Sequence, residues 1–391
     1  MITCIKSRRV IFPDGIRPGC LYVSGGKLLQ VGGDAVYDRL MDFGDDYLSP
    51  GFIDLHTHGA VGYSFAQCDD SGVLEACRYH LTHGTTTLLP TISAAPMKEM
   101  AKAVATVAAV IDSGICPVCL PGVHMEGPYL SKKQCGAQVS DHITPPIEEE
   151  YTRLLSDYGK YIARWTYAPE NDEDQHFCKC LKRHGILPSV GHSDATYEQL
   201  QPAYEAGCSL VTHLYSCTST ITRTQGYRHL GIIESAYLLE EMDVELIADG
   251  KHLPPELLKM ILKCKDHRHI ALVTDSLAAA GTNHCADAAY IIEDGVCKLP
   301  DRSAFAGSIA TMDQLVRNAL AAGCTLEDAV SMASAVPARI LNLPKGKLEK
   351  GMDADLVVFD DSITVKAVLP KESSDRCKSD PLPQHWELTF C

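Results

Sequence analysis

The sequence predicts an α/β protein, a (β/α)8 TIM-like barrel with a small β-sandwich domain formed from both termini. Between residues 51 and 344, apolar strand-like runs alternate with amphipathic helical stretches, the pattern of βα units and a parallel sheet. Both ends have a different texture, short alternating runs broken by Gly and Asp. Eight strand candidates lie in the middle region, and eight make a closed barrel more economical than an open sheet.

Residues 1–50, with ITCIKSRRVIF and CLYVSGGKLLQVGG, are expected to form the first part of the small β domain. The barrel strands are expected at Gly51–Thr57, Thr85–Thr91, Val118–His124, Ala163–Ala168, Leu187–His192, Leu210–Leu214, Val244–Ala248 and Ile270–Thr274. Helical stretches fill the gaps, among them Pro96–Ile111, Gln175–His184, Tyr197–Ala206, Pro254–Lys265 and Thr311–Ala322. Residues 345–364, including LEKGMDADLVVFD, complete the small domain, and residues 365–391 read as a C-terminal tail without a clear period.

Composition narrows the function classes. With 391 residues, 46% hydrophobic and 22% charged, the chain can bury a large core, and it has no run of 18 apolar residues suited to a membrane span. Met1–Val10 is followed by Pro13, Asp14 and Gly15 rather than an apolar signal core, which predicts a cytoplasmic location. A net charge of −15 argues against nucleic acid or an anionic membrane as partner, but leaves room for a small anionic substrate held by local cations. The 17 cysteines, scattered through a large chain, read as reduced thiols, so any metal is expected to come through histidines and carboxylates.

In such a barrel the chemistry sits at the C-terminal ends of the strands, so polar residues that end apolar runs carry the information. The first strand reads GFIDLHTHG, and a strand period of two puts Asp54, His56 and His58 on one face, where both imidazoles can reach one ion. Glu126 follows the third strand in GVHMEGPYL, exposed by a Gly-Pro turn; it could bridge two cations or simply serve the turn. His192 ends the fifth strand and His213 the sixth. Each alone could be a packed histidine, but together with an HxH pair and a carboxylate they point to a metal centre. Asp275 ends the eighth strand in LVTDS, where a general base for a metal-activated water belongs, and can itself touch the metal. His124 reads as an orienting neighbour of the ligands; His80, His83, His184 and His229 read as structural.

The set PGFIDLHTHG, GVHMEGPYL, VGHSDA, THLY, IADGKH, LVTDS, FAGSIATM and GMDADLVVFD resembles the amidohydrolase superfamily and, within it, the N-acetylglucosamine-6-phosphate deacetylase family, over about residues 1 to 360. The resemblance implies hydrolysis of the N-acetyl group of an amino-sugar phosphate by a divalent metal, one or two ions per subunit, with zinc foremost and iron, manganese or cobalt compatible. It makes Glu126, His192 and His213 the ligands of the principal ion and His56 and His58 those of a second, with Asp275 the catalytic aspartate. His252 in IADGKH would contact the substrate and polarise its carbonyl, and the loop Ala306, Gly307 and Ser308 would line the pocket. Arg223, or else Arg228, would reach the sugar phosphate of a neighbouring subunit, which implies a homodimer.

Three departures concern the substrate rather than the metal. The family's GAHNP reads GAQVS, placing Gln138 where a substrate-contacting histidine is usual. Its THLYNAM reads THLYSCT, so Ser216 and Cys217 replace an Asn-Ala pair. The chain also ends without the family's closing strand, the tail standing in its place. Two rivals remain: a related amidohydrolase acting on another N-acyl or cyclic amide, and a barrel that has lost catalysis and only binds. Such relatives use a carboxylated lysine as bridge or lose metal ligands; this chain has Glu126 and all five ligands.

Overall fold

The computed structural model describes residues 1–282 and 289–370. Its centre is one sheet of eight strands: Phe52–Thr57, Thr85–Ser93, Val123–Glu126, Ile162–Tyr167, Leu187–Val190, Leu210–Val211, Asp243–Leu246 and Ile270–Leu272. Each strand pairs in parallel with its neighbour in the series. A parallel bridge between Thr57 and Ser276 joins the last strand to the first. There the Asp275 N–H donates to the His56 carbonyl at 2.8 Å and the His58 N–H to the Ser276 carbonyl at 2.7 Å. The barrel expected from the alternating texture is therefore present. Its strands are buried almost throughout because they face the barrel interior on one side and helices on the other, and Phe52–Thr57 is buried at every position.

The third strand differs in register from the expectation of Val118–His124. It begins only at Val123, because Pro117 and Pro121 lack the N–H a ladder needs, and Cys119 makes just an isolated bridge to Thr87. The shift matters for function, since it makes Glu126 the strand's last residue rather than a residue beyond it.

The small β domain is a seven-stranded sheet of Thr3–Phe12, Gly15–Ser24, Lys27–Val31, Arg39–Asp42, Tyr47–Pro50, Leu356–Phe359 and Val365–Leu369. It encloses its own core, including Val10, Leu21, Leu28, Leu48, Leu356 and Val358. Val365–Leu369 corrects the reading of a tail from residue 365. It pairs antiparallel with Leu356–Phe359, burying Val365, Ala367, Val368 and Leu369 while Lys366 stays exposed. The alternation is too short to stand out against the mixed charge that follows it. The rest of the predicted tail, residues 371–391, lies outside the described residues.

Two insertions project from the C-terminal ends of the barrel strands. One is the hairpin Thr222–Thr224 with Tyr227–His229. The other is a three-stranded sheet of Ile291–Glu293, Val296–Lys298 and Phe305–Gly307. Among the described residues, no helix is long and apolar enough to cross a membrane, and no cysteine forms a disulfide. Cys116 and Cys119, which stand at C-x-x-C spacing, are not joined by a disulfide.

Candidate metal centre and active site

The barrel brings six of the predicted side chains to one point. His56 Nε2 lies 3.2 Å from His58 Nε2, and the pair approach Glu126 at 3.4 Å (Oε1) and 3.3 Å (Oε2). On the other side of the same carboxylate, His192 Nε2 and His213 Nε2 lie 3.2 and 3.1 Å from Glu126 Oε1 and 3.2 Å from each other. Asp275 Oδ1 stands 3.4 Å from His56 Nε2 and 3.2 Å from His58 Nε2. Two triads result, His56–His58–Glu126 and Glu126–His192–His213, both buried.

These separations suit an ion. A tetrahedral centre with bonds of roughly 2.0–2.1 Å needs its ligand atoms about 3.3–3.4 Å apart. The observed 3.1–3.4 Å is close to that value in both triads. The charges agree with the spacing. Burial would raise Glu126, but the charge of His56 and hydrogen bonds from His192, His213 and His58 outweigh it and hold the carboxyl well below its usual range. For Asp275, burial is likewise outweighed by His56 and His58, so it stays ionised. His58 is pushed up to about 10 by Asp275 and Glu126 despite burial. Two carboxylates therefore demand positive charge among the imidazoles, and a divalent cation would supply it.

The backbone is strained where these ligands sit. His192, His213 and Asp275 have φ of +46°, +31° and +48°, a region non-glycine residues rarely adopt. Neighbouring groups fix the rings: His58 Nδ1 pairs with Ser93 Oγ at 3.0 Å and His192 Nδ1 with the Gln134 carbonyl at 2.9 Å. Gly136, at φ +57°, lets the loop after Glu126 close over the centre; a Cβ there would lie 2.4 Å from Cys217 Sγ. His124 bonds Thr91 and Thr166 and packs its ring edge-on at 4.5 Å from His56. Asp54 does not join the cluster. It accepts from Thr274 Oγ1 at 2.5 Å and from the His56 N–H at 3.2 Å, tying the first strand to the eighth.

A cavity of about 960 Å³ opens onto this centre. Gln138, Ser216, Cys217, His252, Ala306 and Gly307 line it, together with His58, Glu126, His192, His213 and Asp275. His252 is held through Nδ1, 2.8 Å from Asp249 Oδ2. Gln138 uses its amide on the centre itself: Nε2 donates to Glu126 Oε2 at 2.7 Å, and Oε1 accepts from the Ala94 N–H at 3.0 Å. Ser308 is not at the wall; it is fully buried, and its hydroxyl donates to the Thr274 carbonyl at 2.5 Å. Arg223 and Arg228 are exposed and directly opposite each other on the projecting hairpin, and the described lining residues include no lysine or arginine.

Sequence reasoning missed Glu245 and Arg164, both fully buried inside the barrel. Arg164 binds both oxygens of Glu245, and Glu245 Oε2 accepts the His213 N–H at 3.2 Å. Burial would raise Glu245, but Arg164 and His56 bring it down to about 2. The available signal was a charge of each sign interrupting an apolar strand.

Comparison with known proteins gives a consistent picture. Residues 47–381 match the Amidohydrolase family. The chain is 32% identical over 332 residues to the N-acetylglucosamine-6-phosphate deacetylase of Lysinibacillus sphaericus, covering 82% of this chain and 84% of that one. It is 31% identical over 328 residues to the N-acetylgalactosamine-6-phosphate deacetylase of Shewanella sp., covering 82% and 81%. Among solved structures, an N-acetyl-D-glucosamine-6-phosphate deacetylase variant from Mycobacterium smegmatis, in complex with N-acetyl-D-glucosamine-6-phosphate, superposes with a TM-score of 0.87 at 30% identity, covering 95% of this chain and 98% of that one.

Proposed function

Because the chain belongs to the amidohydrolase family, and within it to the N-acetylglucosamine-6-phosphate deacetylases, we propose that it hydrolyses N-acetylglucosamine 6-phosphate to glucosamine 6-phosphate and acetate. The observation that carries this reading is the convergence of four imidazole Nε2 atoms on the Glu126 carboxylate at 3.1–3.4 Å, with Asp275 Oδ1 3.2–3.4 Å from two of them, on the wall of a cavity large enough for a sugar phosphate.

Each residue has a role in this reading. Glu126, His192 and His213 would hold the principal ion, and His56 and His58, with Glu126, a second. Imidazole and carboxylate donors suit zinc first, and iron, manganese or cobalt as well. When bound, such an ion supplies Lewis acidity at the acetyl oxygen and brings the pKa of a water toward about 7. Asp275 takes the proton of the attacking water and delivers it to the departing sugar nitrogen, general acid–base work that contributes roughly 10²–10⁴ in rate. His252, braced by Asp249, hydrogen-bonds the acetyl group. Gln138, Ser216 and Cys217, with the backbone of Ala306 and Gly307, shape the sugar end; the second N–H of the Gln138 amide is available for a sugar hydroxyl.

The phosphate needs a cation that this subunit's described wall lacks. Arg223 and Arg228 are like charges opposed across an antiparallel ribbon, an arrangement that costs energy unless an anion sits beside it. In a homodimer this ribbon would reach the neighbouring cavity and bind the phosphate, with Arg223 as the contact and Arg228 as its neighbour. The free thiols fit a reducing, cytoplasmic setting.

The test is acetate release by the metal-loaded protein from N-acetylglucosamine 6-phosphate, N-acetylgalactosamine 6-phosphate and both unphosphorylated sugars. Preference for the glucosamine phosphate supports the reading. Preference for the galactosamine phosphate moves the chain toward the Shewanella relative's activity, and no turnover on any of the four would refute deacetylation of these sugars.

A further inference from the structure

Glu245 takes no part in the chemistry assigned above, yet it is the buried charge placed between the two ligand triads. Its Oε2 lies 3.5 Å from His56 Nδ1 and accepts the backbone N–H of His213 at 3.2 Å. His56 belongs to one triad and His213 to the other. Arg164 holds the carboxylate from behind, with Nη2 on Oε2 at 2.9 Å and Nη1 on Oε1. Its remaining contacts fix the guanidinium in turn: Nε to Ser189 Oγ at 3.0 Å, Nη1 to the Leu55 carbonyl at 3.2 Å and Nη2 to Thr212 Oγ1 at 2.7 Å.

Imidazole chemistry gives this placement a purpose. A neutral histidine binds an ion through Nε2 only when its proton is on Nδ1, and a buried Nδ1–H needs an acceptor to hold that tautomer. His58 and His192 have theirs in Ser93 Oγ and the Gln134 carbonyl. His56 Nδ1 has no hydrogen bond of good geometry, and the group beside it is the Glu245 carboxylate. We infer that Glu245, braced by Arg164, is a positioning residue that holds His56 in the Nδ1–H tautomer and so sets the occupancy of the ion at His56 and His58. Its bond to the His213 N–H also secures a backbone at φ +31°, which links the two ion positions through one side chain. Arg164 cancels the net charge of Glu245, so the carboxylate can remain ionised without adding a negative charge to the centre.

The inference rests on the binuclear reading and is tested by metal binding. Wild-type protein and Glu245→Gln are loaded with zinc or cobalt, dialysed against graded free metal, and assayed for ions per subunit; the cobalt forms are also compared by visible absorption. The wild type is expected to hold two ions. Glu245→Gln should hold the Glu126–His192–His213 ion but bind the second roughly 10–100-fold more weakly, the size of effect known for groups behind metal ligands. The matching part of the cobalt spectrum should appear only at higher metal. Should Glu245→Gln not fold, Arg164→Met/Glu245→Met removes both charges and is expected to weaken the second ion in the same way. A wild type with fewer than two ions would refute the binuclear reading itself. A two-ion wild type whose folded variant binds both ions with unchanged affinity would overturn the role of Glu245 alone.

Discussion

Arg164→Met should destabilise the protein by about 3–5 kcal/mol, because it leaves Glu245 charged and unpaired in the barrel. Both side chains are fully buried, and Arg164 satisfies both carboxylate oxygens of Glu245. Glu245→Met alone strands the guanidinium and should cost a similar amount. For 391 residues, an unfolding entropy of roughly 2.1 cal/mol/K per residue gives about 0.8 kcal/mol/K, so each single change should lower Tm by about 4–6 °C. The double variant Arg164→Met/Glu245→Met removes both charges together, and such replacements are often close to neutral. It should therefore be more stable than the sum of the single losses by at least about 2 kcal/mol. Calorimetry at one fixed excess of metal measures this; any weakened metal binding common to the Glu245 single and double variants cancels in the cycle. Strictly additive shifts would refute the claim that the two charges depend on each other.

Other consequences can be checked separately. Burial lowers His80 to about 4, so it stays neutral in the fold while an unfolded chain takes up a proton below about 6.5; stability is thus lost as pH falls from 6.5 toward 4, by about 2 kcal/mol at pH 5. In denaturant melts at pH 7 and 5, His80→Gln should lose that part of the pH dependence, and an unchanged slope would contradict it. Arg223→Gln should raise KM for a phosphorylated sugar at least tenfold and leave the plain sugar unaffected; equal effects on both would remove the arginine from the phosphate. Gln138→Ala deletes the amide that donates to Glu126 Oε2, and should lower metal affinity about tenfold when ions per subunit are titrated; a change confined to KM would make Gln138 a substrate contact only.

Much of the site could be read from the sequence because barrel architecture turns strand ends into a list of candidates. His56, His58, Glu126, His192, His213 and Asp275 each end or follow an apolar run, and the structure gathers all six. Residues that act across the barrel were not legible in the same way. Arg164 and Glu245 are 81 positions apart, and only closure of the sheet makes them a pair. Asp54 shares a strand face with His56 and His58 but lies a full pleat repeat below His56, level with Thr274, and bonds the Thr274 hydroxyl and N–H instead of joining the cluster. Gln138, which stands where the family pattern has a substrate-contacting histidine, lines the cavity and also donates its amide to Glu126, a contact that only the folded loop makes visible. The strand Val365–Leu369 was hidden because it is only five residues long, with Lys366 as its one exposed position, and precedes a stretch of different character.

The most direct test of the central claim is acetate release from N-acetylglucosamine 6-phosphate by wild type and Asp275→Asn, with ions per subunit measured in the same samples. Equal metal content and a loss of about 10²–10⁴ in kcat are expected for the variant, since the general acid–base group is gone while the Glu126–His192–His213 ligands remain. An Asp275→Asn protein that keeps both its metal and its turnover would contradict the claim.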